Sequence, residues 1–235
     1  MKKLLLMLVL LVPALAFGQS NESGTIQIGI GGVGIVGGAS ITSTYQPDTS
    51  INFPGGPSKS SAAGFKAGFG IKAQYGIAEF ISAGIYIRRE AVAYLVTDEN
   101  FDYYGSDGGG HIDATDFALG VEAKFYVVNK DRFNLFFGPS IGFTTGTAKL
   151  RDYVLDVKGG LSGLNYGLGG GINWYWGDHV GMSFDFGYTG QSLSGEPDDL
   201  NDFDPSYGEI PVTKYKITGG NVYIGLAFIA KFGGN

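Results

Sequence analysis

Seven charged side chains recur at alternate positions within apolar runs: Lys66, Lys72, Arg88, Glu122, Lys124, Asp185 and Lys231. Each lies on the polar side of a period-two pattern and backs onto a face of large apolar residues. Buried charge is tolerated where it is paired and hydrogen-bonded. The chemistry this pattern predicts is an ionic network inside a closed sheet, carried by Lys66, Lys72, Arg88, Glu122, Lys124 and Asp185. Arg88 and Glu122 stand at similar distances from short turns on neighbouring strands, and they are expected to pair. Such a network serves either as a structural plug or as a narrow ion path.

Other chemistries find less support. The two histidines, His111 and His179, lie in a glycine-flanked loop and a predicted turn. Neither stands beside a serine and a carboxylate at a spacing suited to nucleophilic catalysis, so no enzyme is expected. His111 with Asp102, Asp107 and Asp113 is better read as a solvated loop than as a metal site. Gly32, Gly34 and Gly37 match Gly-x-Gly-x-x-Gly, but no helix follows, which rejects a nucleotide site. There is no cysteine, which excludes disulfides and thiolate-held zinc. No metal and no cofactor is expected.

The elements that position these residues are long strands. The last one shows the pattern best. Val222, Ile224, Leu226, Phe228, Ala230 and Phe232 share an apolar face, while Tyr223, Gly225, Ala227, Ile229 and Lys231 share the other. The same alternation marks seven earlier segments, beginning near Thr25, Gly64, Phe80, Thr115, Phe133, Asn165 and Val180. Pro139 interrupts the fifth and is expected to mark a bulge. Turns are predicted at Gly76 to Glu79, Asn129 to Arg132 and Gly177 to His179. Long loops are predicted at Ala39 to Ala62, Thr97 to Asp113, Gly146 to Gly163 and Gly190 to Lys216, because large apolar residues thin out there.

Eight strands of this length exceed the ordinary globular strand and suffice to cross a bilayer on a tilt. Long and short connections alternate. Aromatics gather near the short turns (Tyr75, Phe80, Phe125, Phe133, Trp174, Trp176, Phe232) and toward the long loops (Tyr94, Phe117, Phe143, Tyr166, Tyr188). Two such belts are expected where rings meet membrane interfaces. The expected fold is all-β, an eight-stranded antiparallel up-and-down transmembrane β-barrel over residues 19–235. A soluble barrel with the apolar face inside fits less well, since glycine is concentrated on the polar face, where a narrow interior needs it.

Residues 1–18 read as a secretory signal peptide. Lys2 and Lys3 precede the apolar run Leu4 to Val12, and cleavage is expected after Gly18, with Ala14-Leu15-Ala16 competing. Without the signal, 14 basic residues face 22 acidic ones, because two of the chain's 16 basic residues are removed; this argues against nucleic acid as a partner.

Signal, alternating strands and a last strand ending at Phe232 resemble the outer membrane protein beta-barrel domain family, also called porin-family proteins, and are similar to the small OmpA and OmpX type of barrel. The resemblance covers the mature chain and rests on pattern. It implies an outer-membrane location in a Gram-negative-type cell, contact with outer-membrane lipid and lipopolysaccharide, and insertion by the outer-membrane assembly machinery, which would read Phe232 as its signal. Here Gly233-Gly234-Asn235 follow that aromatic. The loop carboxylates (Asp98, Glu99, Asp102, Asp107 and Asp113; Glu196, Asp198, Asp199, Asp202, Asp204 and Glu209) read first as solubilising groups. Divalent-cation bridging to lipopolysaccharide phosphates is their functional reading. The expected function is a plugged barrel with a structural or surface-interaction role through its outer loops and an unknown extracellular ligand. The alternative is a small channel for ions or solutes.

Overall fold

In the computed structural model, alternation becomes eight antiparallel strands: β1 (Ile26–Tyr45), β2 (Gly56–Ala78), β3 (Ile81–Thr97), β4 (His111–Lys130), β5 (Phe133–Arg151), β6 (Asp156–Tyr175), β7 (Val180–Pro197) and β8 (Val212–Phe232). The structure describes residues 21–45, 55–97, 111–151, 156–198 and 212–233. Each strand pairs with its sequence neighbours, and β1 pairs with β8 to close the barrel. Ile26 lies opposite Phe232, so the beginning of β1 and the end of β8 meet at one rim.

The register sets the strand tilt. Followed once around, Ile30 pairs to Ile71, Ile87, Leu119, Phe143, Leu164, Ser192, Thr218 and back to Ser40. The path returns ten positions along β1, and a stagger of this kind tilts the strands by roughly 35–45° to the barrel axis.

The faces predicted from period two are the faces found. Ile26, Ile28, Ile30, Phe65, Phe69, Ile85, Val121, Phe184, Leu226 and Phe228 point outward and are exposed. On β8 the apolar outer run covers Val222 to Phe232, which on a tilted strand spans about 25 Å, the height of a lipid-facing band. Tyr75, Phe80, Phe133, Trp174, Trp176 and Phe232 ring its lower edge, and Phe117, Phe143, Tyr166 and Tyr188 stand toward the upper edge, all exposed. Phe125 stacks on Phe137 at 5.6 Å between ring centres. The side chain of Tyr94 lies outside the described residues.

Strand ends differ from expectation. Segments read as long loops carry the strands onward: β1 runs to Tyr45 and β2 begins at Gly56, while only residues 152–155 separate β5 from β6. Large apolar residues disappear from the outer face there, but alternation continues in reverse. Ala39, Ile41, Ala62, Val92, Ile112, Ala114, Ala148, Leu161, Leu193 and Ile217 turn inward and form the one apolar core cluster among the described residues. Pro139 interrupts the β4–β5 ladder without a shift of register. The irregularity falls instead between Tyr126 and Val128 on β4, next to the turn. Pro139 still pairs in sequence with Leu168 on its other side. A missing N–H on one edge removes a hydrogen bond and needs no extra residue.

Candidate functional site

Because eight strands leave an interior about as wide as the side chains that fill it, function inside this barrel depends on how inward residues stack along its axis. Four levels are present.

At the lower rim the chain before β1 reaches across the mouth. Asn21 is fully buried. Its backbone N–H donates to Asn129 Oδ1 (2.9 Å), its Nδ2 donates to the Ala78 carbonyl (2.8 Å), and Asn129 Nδ2 donates back to the Asn21 carbonyl (2.7 Å). Gly24 N–H donates to the Gly76 carbonyl (2.9 Å), and Gly24 takes φ +84°, a left-handed conformation open to glycine. Just inside lie Gln27, Ser82, Asn134, Asn173 and Tyr175, all buried. The Ser82 hydroxyl donates to Gln74 Oε1 and meets the Tyr126 hydroxyl, both at 3.1 Å.

The next level is ionic. Lys72 Nζ contacts Asp185 Oδ2 at 2.5 Å and Glu122 Oε2 at 4.0 Å. Ser183 donates to Asp185 (2.8 Å), and Gln74 Nε2 donates to Glu122. Lys124 is buried with its ammonium 4.1 Å from the centre of the Phe136 ring, a cation–π contact that substitutes for a carboxylate. Lys231, nearer the rim, places its ammonium 5.2 Å from the Tyr175 ring.

A second ionic level sits above it. Lys66 lies 3.7 Å from Asp116 and 3.9 Å from Glu90, and donates to Gln191 Oε1. Arg88 Nε stands 3.2 Å from Glu90 Oε1, with its guanidinium carbon 4.8 Å from the Tyr86 ring centre. The Tyr86 hydroxyl donates to Asn165, whose Nδ2 donates to Thr144 at 2.7 Å. The two levels hold four cations, Lys66, Lys72, Arg88 and Lys124, and four carboxylates, Glu90, Asp116, Glu122 and Asp185. Their balance is what a low-dielectric interior requires. A cavity with about 40 Å³ of room for water lies beside Lys72, Arg88 and Asp185 and is walled by Gly29, Gly31 and Gly225.

The fourth level is the apolar cluster, with Tyr215 packed against it. Tyr215 stands above the outer band, and its hydroxyl donates to the Gly160 carbonyl (2.9 Å). Burial, with Asp198 nearby, pushes its phenol up to about 12.

All six residues expected to form the inner network face the lumen, but they do not pair as expected. Arg88 joins Glu90 on its own strand, and Glu122 joins Lys72 and Gln74. The register explains the correction: Glu122 lies opposite Gly84, while Arg88 lies opposite Ala118, four positions higher. Counting from turns ignores this stagger. Glu90 and Asp116 were missed as network members. Their signal was available, since each continues the inward alternation of its strand, Arg88 to Glu90 and Ala118 to Asp116.

Elsewhere, His179 lies at the lower turn with Nδ1 3.2 Å from the Lys231 carbonyl. Asp113 occupies an outward position opposite Lys149. Asp98, Glu99, Asp102, Asp107, Asp199, Asp202, Asp204, Glu209 and the side chain of His111 lie outside the described residues. Gly32, Gly34 and Gly37 are ladder residues of β1, paired on both sides.

Closed ring, apolar outer band and charged interior define an eight-stranded transmembrane β-barrel of the outer-membrane type. Among solved structures the chain is similar to the outer membrane protein OprG of Pseudomonas aeruginosa, with 16% identity over 92% of this chain and 100% of that one and a TM-score of 0.51. It is also similar to the outer membrane protease OmpT of Escherichia coli (7% identity, 88% and 97% covered, TM-score 0.47) and to Neisserial surface protein A (15%, 89% and 100%, TM-score 0.42). Likeness at these identities concerns the fold. No protein-family model matches the sequence, and no curated protein sequence matches it.

Proposed function

We propose that the protein is an integral outer-membrane barrel whose lumen is closed to solutes and which acts through its outward surface rather than by transport or catalysis. The stacking inside the barrel carries this reading. A polar rim crossed by Asn21, two neutral ionic levels and an apolar cluster succeed one another along the axis. A solute would have to part buried ion pairs and then cross Ile41, Leu193 and Ile217, each at most 6% exposed. The apolar outer band supports insertion in lipid. A secretory signal at residues 1–18 would deliver the chain to the periplasm, and both strand termini at the lower rim would then place the longer connections outside. A mature barrel domain over 19–235, recognised by the assembly machinery at Phe232, completes this reading.

Single-channel recording of refolded protein in a planar bilayer tests it, with heat-modifiable gel mobility reporting folding. Folded protein without conductance steps is the expected result. Stable steps that scale with salt would overturn the closed lumen. A folded, water-soluble monomer that does not enter bilayers would overturn the membrane assignment.

A further inference from the structure

The outer wall formed by β7, β8, β1 and β2 changes character in four successive rows above the middle of the barrel. The first row, running across the four strands, is Tyr188, Val222, Val36 and Phe65, all exposed and apolar or aromatic. Two positions up, the row is Gly190, Gly220, Gly38 and Ala63. The next is Ser192, Thr218, Ser40 and Ser61. The last is Ser194, Lys216, Thr42 and Lys59.

Each row is suited to a different part of an amphiphile. The first lies at the upper edge of the lipid-facing band. The second has almost no side chains of its own, and the Tyr188 ring lies over Gly220, where a Cβ would meet its hydroxyl at 1.8 Å. The Tyr166 ring covers Gly190 in the same way, so the row is a step floored by two aromatic rings at Gly190 and Gly220 and open at Gly38. The third row is four hydroxyls abreast. In the fourth, Lys59 and Lys216 flank Thr42 from either side. Among the described residues neither lysine has a carboxylate partner within 4 Å. Both lie six positions along their strands from the last large apolar residue, Phe65 and Val222 respectively, which on tilted strands is about 15 Å above it.

We infer that this wall is a docking site for the phosphorylated saccharide headgroup of an outer-leaflet glycolipid. Acyl chains lie against the first row, the sugar rests on the glycine step and hydrogen-bonds the hydroxyl row, and a phosphate sits between Lys59 and Lys216. The opposite wall lacks this order. Its corresponding levels mix both signs, with Asp113 opposite Lys149 and Lys149 opposite Lys158, whereas on the docking wall the one carboxylate, Glu196, lies a row higher and is matched by Lys214 at 3.6 Å. Cation pairs suit phosphate, and a lysine near a charged lipid surface contributes about fivefold in affinity. The inference rests on the reading above that this end of the barrel faces outward.

Refolded full chain in detergent micelles is titrated with bisphosphorylated lipid A and with its dephosphorylated form, and retained lipid is counted by native mass spectrometry. Wild type should prefer the phosphorylated form by about thirtyfold, two lysines acting together. The double variant Lys59→Gln/Lys216→Gln should lose that preference, and Lys149→Gln/Lys158→Gln should keep it. Gly38→Leu, which raises a side chain on the step, should weaken both lipids alike. Absence of preference, equal loss in both lysine variants, or full displacement of lipid A by an equal concentration of inorganic phosphate would overturn the site. Insertion into plain phosphatidylcholine vesicles, measured in parallel, separates these failures from failure of the membrane assignment.

Discussion

The lower and upper halves of this barrel use the same strands with opposite polarity. In the lower half of β8, Ile224, Leu226 and Phe228 face outward and are more than half exposed, while Tyr223 and Gly225 face in. Higher on the same strand, Thr218 and Lys216 face out and Ile217 is buried. β1 repeats the change: Ile26, Ile28 and Ile30 point outward below, Ile41 inward above. The backbone is continuous across the change, and the ladder does not mark it. Solvent is therefore what differs, lipid around the lower half and water around the upper. Each half buries what its surroundings reject. The lower interior consequently carries polar groups and charges balanced in number, whereas the upper interior is an ordinary apolar core.

Breaking an ion pair in the lower interior should have the largest effect. Lys72→Ala leaves Asp185 and Glu122 facing each other without their shared cation, and should lower stability by about 3–5 kcal/mol. Urea unfolding of the refolded protein measures this. An unchanged midpoint would mean that the lower lumen is wet enough to screen the pair.

A charge scan along one outer face sharpens the contrast. Leu226→Arg, in the middle of the apolar band, should cost about 2–4 kcal/mol in bilayer unfolding. Thr218→Arg, eight positions away on the same face, should change stability by no more than about 0.5 kcal/mol. Equal costs at the two positions would erase the distinction between the halves. Among the substitutions expected to destabilise, the mildest lies in the upper core. Ile41→Val removes one buried methylene and should cost about 0.5–1.5 kcal/mol, as in a water-soluble protein.

The same inversion explains what could be read from the chain alone. Where large apolar residues alternate with glycine, as from Val222 to Phe232, period two assigns both faces and the closed ring follows from eight such runs. Above the band alanines (Ala39, Ala62, Ala114 and Ala148) alternate with the larger inward residues, and Ser, Thr and Lys occupy much of the outer face. That composition is also the composition of loops, so the sequence pattern ends the strands lower than the structure does. The ionic network was legible residue by residue but not pair by pair. Pairing depends on stagger between strands, which turn positions do not encode, and so the turns point Arg88 to Glu122 while the structure joins it to Glu90. Asn21 carries no sequence signal for its place at the lower mouth, because its partners Ala78 and Asn129 are joined to it only by the closure of the barrel.

The strands that continue past the lipid band also make a scaffold. Tyr45 and Gly56 remain paired at the top of β1 and β2, nine positions beyond Val36, and paired strand residues stand about 5 Å apart. Any peptide grafted between them enters a ring that the barrel has already closed, raised about 20 Å clear of the membrane on a hydrogen-bonded stalk. Its ends are held at fixed separation and orientation, so a short epitope placed there is presented as a constrained hairpin tip rather than as a free tail.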